Sequence, residues 1–224
     1  MKKKIADKPV LILGSASPRR RDFLAALGLS FDTIVPDVSE AVRKGEEKRT
    51  YARRVAVDKA RDVFAQLAEL RVKEDLEHPD LALTRESPHD DFLILAADTI
   101  VVLGRKFLQK PKSAGEAARM LKALSGKTHE VISGVCVLKV EEGAPVKERA
   151  FTVVSRVTFK TLSKAEIDGY VSTKEPMDKA GAYAVQGVGS FLVKSIAGSY
   201  TNVVGLPLAE LTDLLRREFT YPVF

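Results

Sequence analysis

Three arginines, Arg19, Arg20 and Arg21, stand directly after Ser17 and Pro18. Ser17 suits an N-cap and Pro18 the first helical position, so the spacing predicts that the arginines occupy the first turn of a helix. Unpaired N–H groups there already carry partial positive charge, and each added cation is disfavoured by about 0.3–1 kcal/mol. An anion offsets that cost, because the N–H groups, the helix dipole and the guanidinium forks would all converge on the oxygens of a phosphate-bearing ligand. On these residues alone, a solvated basic first turn is the other reading.

A second candidate group is acidic. Asp98 follows the apolar stretch 92–97, which predicts a carboxylate at a strand end, where an open sheet exposes its ligand-binding residues. An aspartate that caps a turn before Thr99 would account for the same position. Glu40 and Asp37, in the loop after a short strand, could offer oxygens to a divalent cation, although alone they are ordinary loop acids. Lys59 and Lys110 could place point charges against phosphate oxygens, with Pro111 stiffening the loop behind Lys110. His78, His89 and His129 show no metal-ligand spacing, which argues against zinc. Gly126-Lys-Thr128 resembles the end of a P-loop, but the glycine required upstream is replaced by Leu121, so that motif is rejected.

The elements that must position these groups can be read from periodicity and punctuation. An apolar strand at 10–13 turns at 14–17 into a helix whose apolar face, Phe23, Leu24 and Leu27, stops at Gly28. A short strand at 31–35 and a charged stretch at 41–50 precede a helix carrying Val55, Ala60, Val63, Phe64 and Leu67. Ser113 with Glu116, and Ser163 with Glu166, predict capping boxes. The strand-like runs 130–140 and 151–159, joined by a turn-rich segment at 141–145, predict a hairpin. A glycine-rich section follows at 179–189, then a strand at 191–196 and a final helix at 206–219. Strands and helices interleave without strict alternation, which predicts an α/β fold with a long mixed β-sheet flanked by helices.

With 224 residues, 45% of them hydrophobic, the chain can build a substantial core. One domain over 1–224 is expected, with a charged surface insertion at about 71–91. Thirty-six basic against thirty acidic side chains leave a net charge of +6, which favours anionic partners without singling out a class. No basic-aromatic surface motif points to specific nucleic-acid binding. No stretch approaches membrane-spanning length and the first apolar run is too short for a signal peptide, so a cytoplasmic location is expected and no membrane partner. Cys136 is the single cysteine and lies in an apolar run, which predicts a buried structural thiol.

Several blocks together resemble the Maf family of nucleoside triphosphate pyrophosphatases. They are Leu13-Gly-Ser-Ala-Ser-Pro-Arg-Arg-Arg21, Asp37-Val-Ser-Glu40, Asp58-Lys-Ala60, Ala97-Asp-Thr99, Gln109-Lys-Pro111 and Leu124-Ser-Gly-Lys-Thr-His-Glu-Val131. Asp178-Lys-Ala-Gly-Ala-Tyr183, Gln186-Gly187 and Gly198-Ser-Tyr-Thr-Asn-Val-Val-Gly-Leu-Pro207 continue the match in order and spacing. The resemblance implies an α/β fold of two lobes with a central cleft, often as a homodimer. It also implies a house-cleaning hydrolase that splits a nucleoside triphosphate into monophosphate and pyrophosphate with a divalent cation, Mg²⁺ or Mn²⁺. The family's catalytic base falls on Asp98, its specificity positions on Arg19, Thr99 and Gln186, and its phosphate and metal groups on Ser15, Arg20, Glu40, Lys59 and Lys110. Glu40 and Asp98 are the implied metal ligands, and the N–H groups after Ser17 the implied phosphate cradle. Ala97-Asp-Thr99 with Gln186-Gly187 resembles the dTTP/UTP branch, which implies pyrimidine substrates. The alternatives are methylated or other modified nucleotides, or a nucleotide-binding regulator of cell division and septum formation. Beside the resemblance stands a physical argument: the Gln186 amide offers one acceptor and one donor, which matches N3–H and O4 of uracil or thymine.

Overall fold

The computed structural model describes residues 9–77 and 91–224. Strand β1 (Val10–Gly14) is followed by helix α1 (Pro18–Ala26), which opens at Pro18 as its sequence predicts. Strand β2 (Asp32–Ile34) lies parallel to β1, and helix α2 (Lys48–Glu77) follows. Strands β3 (Phe92–Leu103) and β4 (Lys106–Leu108) lead to helix α3 (Ala114–Leu124). The hairpin partners are β5 (Thr128–Glu141) and β6 (Ala144–Phe159), after which come helix α4 (Lys164–Ser172) and three short 3₁₀ turns. Strand β7 (Val193–Ala197) and helices α5 (Tyr200–Val204) and α6 (Leu208–Phe219) close the chain. The seven strands form one sheet in the order β2-β1-β3-β5-β6-β7, with β4 beside β3. Pairs β1–β2 and β1–β3 are parallel and the others antiparallel, so the sheet is mixed.

The core follows from the period-two alternation of the strands. Ile12, Ile94, Ala96, Cys136 and Leu138 face α2, whose Ala56, Ala60 and Val63 share one helical stripe and are buried against them. On the opposite face, Leu11, Leu13, Leu93, Leu95 and Ala97 pack with Leu24, Leu206, Leu211 and Leu215 from α1, α6 and the segment before α6. Farther along that same face, Val101, Val131, Val157 and Phe159 pack with Leu121, Leu124, Tyr170 and Leu192. Two apolar lobes therefore sit on one face of the sheet. Thr99 and Ser133, the odd-numbered positions between them on β3 and β5, are polar and joined at 2.8 Å. The expected cleft between lobes falls at this polar seam.

Three local expectations are revised and one, the Ser163–Glu166 box, is met. Helix α2 runs on through Glu77, into the segment read as an exposed insertion, because its charged residues are compatible with helix; the remainder of that segment, 78–90 with His78 and His89, lies outside the described residues. The hairpin turn is only Glu142 and Gly143, both at positive φ, so the strands extend toward each other through Ala144 and Pro145. The Ser163–Glu166 capping box is complete. Ser113 accepts from the Glu116 N–H, but the Glu116 carboxylate takes the N–H of Lys112 in place of that of Ser113, so only half of that box forms. Among the described residues, no helix is long and apolar enough to cross a membrane.

Candidate active site

Asp98 is not at a strand end, as its sequence context suggested. It lies within a continuous twelve-residue strand, because β5 pairs with β3 on its other side through the whole region, Asp98 opposite Gly134. What opens the site is a gap in the neighbouring ladder. Strand β1 ends with Gly14 opposite Ala96, and β4 begins to pair only at Val101. Residues 97–100 therefore have no strand on that edge, and buried backbone groups there need other partners.

Arg20 supplies them. Its Nη1 donates to the Ala97 carbonyl at 2.8 Å and to Ser15 Oγ at 2.9 Å, its Nε to the Gly205 carbonyl at 2.9 Å, and its Nη2 to Thr99 Oγ1 at 3.1 Å. Four of the five guanidinium N–H groups are thereby committed inside the protein. Burial pulls the Arg20 pKa below its ordinary value, a tendency opposed by the charge of Asp98. In this structure the Arg20 fork is a clamp that ties α1 to the open edge of β3 and to the turn at Gly205. Thr99 is similarly engaged: its hydroxyl meets Arg20, Ser133 and the Gly205 carbonyl. The side chain thus forms the floor of the cleft, with its hydroxyl already bonded within the protein.

Across the gap, the Asp98 side chain faces α2. Lys59 Nζ lies 2.8 Å from Asp98 Oδ1 and 2.6 Å from Glu40 Oε1, so one ammonium joins both candidate carboxylates. Lys59 and Asp98 are buried, at 8% and 6% exposure, whereas Glu40 is open to solvent. The Tyr51 hydroxyl donates to the Glu40 carbonyl at 2.8 Å and anchors the loop that carries this acid. Burial, reinforced by the nearby charges of Asp98 and Glu40, pushes the Tyr51 pKa well up, so it remains a neutral donor. Asp37 does not join the cluster: its N–H bonds Asp62, and it lies off the cleft.

These groups line one cleft of about 690 Å³. Arg20 and Asp98 share it, together with Ser15, Ser17, Arg19, Glu40, Lys59, Thr99, Lys110 and Gln186. Among the described residues, Arg19 and Gln186 line it without a side-chain hydrogen bond or ion pair, and Lys110 is likewise an exposed, uncommitted cation. Ser17 takes the N-cap position with no side-chain cap; its own N–H donates to Ser15 Oγ. Pro18 has no N–H, so the orphan donors at the mouth of α1 are those of Arg19 and Arg20. Ser15 Oγ accepts from both Arg20 and Ser17, which leaves the hydroxyl hydrogen to donate.

Residue-type reasoning missed Tyr51, Ser133, Lys179 and Gly205. Ser133 carried a signal, being a polar residue within the apolar run 130–140. Gly205 carried none, since its part is played by a backbone carbonyl. His129 is buried, with Nε2 2.7 Å from the Tyr183 hydroxyl, and burial lowers its pKa to about 4. Burial raises the Cys136 thiol to about 12, as a structural cysteine requires. Among the described residues, no group of three or more His, Cys, Asp or Glu side chains could hold a metal.

Fold and site together define an α/β protein with a cation-lined cleft beside a buried carboxylate. The chain belongs to the Maf-like protein family, whose pattern it matches over residues 10–218. It is 46% identical over 209 residues to a dTTP/UTP pyrophosphatase of Anaeromyxobacter dehalogenans (strain 2CP-C), covering 93% of this chain and 94% of that one. It is 38% identical over 214 residues to a dTTP/UTP pyrophosphatase of Clostridioides difficile (strain 630), covering 96% and 97%. A crystal structure of a nucleoside-triphosphatase / dITP/XTP pyrophosphatase from Mycobacterium abscessus aligns over 94% of this chain and 95% of that one, at 9% identity and a TM-score of 0.38, a likeness too low to carry an argument.

Proposed function

We propose that this chain hydrolyses nucleoside triphosphates, foremost dTTP and UTP, to the monophosphate and pyrophosphate. The observation that carries the reading is the single cleft in which the buried Asp98–Lys59 pair faces the mouth of α1 and the uncommitted cations Arg19 and Lys110. The relatives named dTTP/UTP pyrophosphatase support the same chemistry and choice of base.

In this reading the triphosphate lies against the orphan N–H groups at the α1 mouth and the Ser15 hydroxyl, with Arg19 and Lys110 on its outer oxygens. Arg20 keeps that mouth fixed against β3. Lys59 holds Asp98 Oδ1, which leaves Oδ2 to orient the attacking water and take its proton as the water oxygen joins phosphorus and the α–β anhydride breaks. The donor set fits a hard divalent cation, since Glu40 and Asp98 converge on one ammonium and magnesium takes one or two carboxylates along with substrate phosphates. Such an ion, when bound, neutralises charge on the phosphate oxygens. Gln186 reads the uracil or thymine edge from the opposite wall.

The test is product analysis over a panel of common and modified triphosphates, with and without Mg²⁺ or Mn²⁺. UMP and dTMP accompanied by pyrophosphate, formed faster than from other bases, are expected. Release of a nucleoside diphosphate and inorganic orthophosphate, or no turnover of any triphosphate, would overturn the reading.

A further inference from the structure

Gln186 lies on neither an α-helix nor a β-strand, between the 3₁₀ turns Ala180–Ala182 and Gly187–Leu192. Two side chains from outside this stretch nevertheless capture three of its backbone N–H groups. Glu175 Oε2 accepts from Val188 at 3.1 Å, and Glu175 Oε1 accepts from Gly189 at 2.9 Å. The Tyr170 hydroxyl donates to Glu175 Oε1 at 2.9 Å and accepts from the Ala184 N–H at 3.1 Å. Gln186 is suspended midway between the captured groups on its two sides.

The backbone is shaped for this approach. Gly187 has φ +69°, and a Cβ there would come within 2.8 Å of Glu175 Oε2. A Cβ on Gly189 would lie 2.4 Å from the Tyr170 hydroxyl and 2.5 Å from the Ala184 carbonyl. Burial pushes the Glu175 carboxyl upward, but the hydrogen bonds from Gly189, Tyr170 and Val188 outweigh it and leave the pKa below the ordinary value. Glu175 itself begins the turn Glu175–Asp178, and Asp178 and Lys179 line the same cleft.

We propose that Glu175, buttressed by Tyr170, is a positioning residue for base selection: it fixes the segment 184–189 so that the otherwise unrestrained Gln186 amide meets the base in one orientation. This inference rests on the reading of Gln186 as the base-reading group. Without the anchor the amide samples several orientations, and binding to the matching base loses its advantage.

The experiment measures kcat/KM for UTP and CTP in the full-length wild type, Glu175→Gln, Tyr170→Phe, Gln186→Ala and Glu175→Gln/Gln186→Ala, with thermal melts alongside. Glu175→Gln sets an amide N–H₂ against backbone donors, so the UTP:CTP ratio should narrow about tenfold, with KM for UTP rising more than kcat falls. Tyr170→Phe should narrow it about threefold, and it decides the matter if Glu175→Gln does not fold. The double variant should show no narrowing beyond Gln186→Ala alone, since both changes remove the same discrimination. If Gln186→Ala narrows the ratio while Glu175→Gln leaves it unchanged, or the two narrowings multiply, the positioning role is overturned and the base reading stands. If Gln186→Ala leaves the ratio unchanged, the base reading falls and the positioning role with it.

Discussion

Asp98 and Arg20 divide the work of the cleft at the scale of single residues. With Oδ1 on Lys59, Asp98 has Oδ2 left, and the proposed mechanism gives that oxygen the reacting water. An isosteric Asp98→Asn should therefore lose about a thousandfold in kcat while nucleotide Kd stays within about threefold, measured by pyrophosphate release and calorimetric titration; near-normal turnover would remove Asp98 from the role. The two neighbouring arginines should separate cleanly. Arg19 makes no bond within the described residues, so Arg19→Ala should raise KM about tenfold without shifting the urea midpoint. Arg20→Ala removes the side-chain donor to the Ala97 carbonyl and one of two donors each to the Gly205 carbonyl and Ser15, so stability should fall by about 3 kcal/mol together with activity. Equal stability of the two variants would contradict the clamp. The sequence made Asp98 visible because a charge after six apolar residues is conspicuous, yet the reason it is accessible was hidden. That reason lies in where β1 stops and β4 starts, and pairing partners leave no mark on the strand they pair with.

At the scale of elements, helix α2 is the part on which the carboxylate pair depends, because it carries Lys59 over the sheet. It can sit close to β5 only because position 134, directly opposite Asp98, is glycine: a Cβ there would fall 2.0 Å from the Ala52 carbonyl. The contact is backbone against backbone, so no rotamer change relieves it. Gly134→Ala should lift α2, cost about 2 kcal/mol and lower kcat through the displaced Lys59. Denaturant unfolding and turnover, measured on the same samples, check whether the two losses occur together; full activity with full stability would mean that α2 does not position Lys59. The helix was legible from its apolar stripe, and so was the Ser163 box, in which Ser163 and Glu166 satisfy each other locally. The Ser113 box was half legible, because Glu116 had a competing donor in Lys112 that a motif spanning Ser113 to Glu116 does not include. Local chemistry is readable in sequence to the extent that the partners are neighbours, and Arg20 to Gly205 spans 185 residues.

For the whole molecule, the arrangement of two apolar lobes about a polar seam leaves a histidine deep in the lobe beyond the cleft. His129 is 2% exposed, edge-on to Phe159 and Tyr183 with ring centroids 5.0 and 5.3 Å away. The rings and hydroxyl that contact it belong to Phe159 and Tyr183, and among the described residues no carboxylate pairs with it. Burial therefore favours its neutral form and brings its pKa from 6.5 to about 4. A histidine with a depressed folded pKa binds its proton more tightly when unfolded, so its contribution to stability is whole above pH 6.5 and is lost as pH falls from 6.5 to 4. The loss should reach about 2 kcal/mol by pH 5. Glu46, held near 2 by its hydrogen bond from Arg54, adds to the same trend only below its ordinary value of 4.5. Between pH 7.5 and 5 the decline is consequently assigned to His129. Urea midpoints measured across that interval should fall in the wild type and stay nearly level in His129→Gln, which keeps a polar partner for the Tyr183 hydroxyl and has no proton to gain. An undiminished slope in that variant would place the acid sensitivity elsewhere in the chain. Because Tyr183 both bonds His129 and lines the cleft next to Ala184 and Gln186, protonation of the imidazole should loosen the wall that carries Gln186 as the lobe weakens.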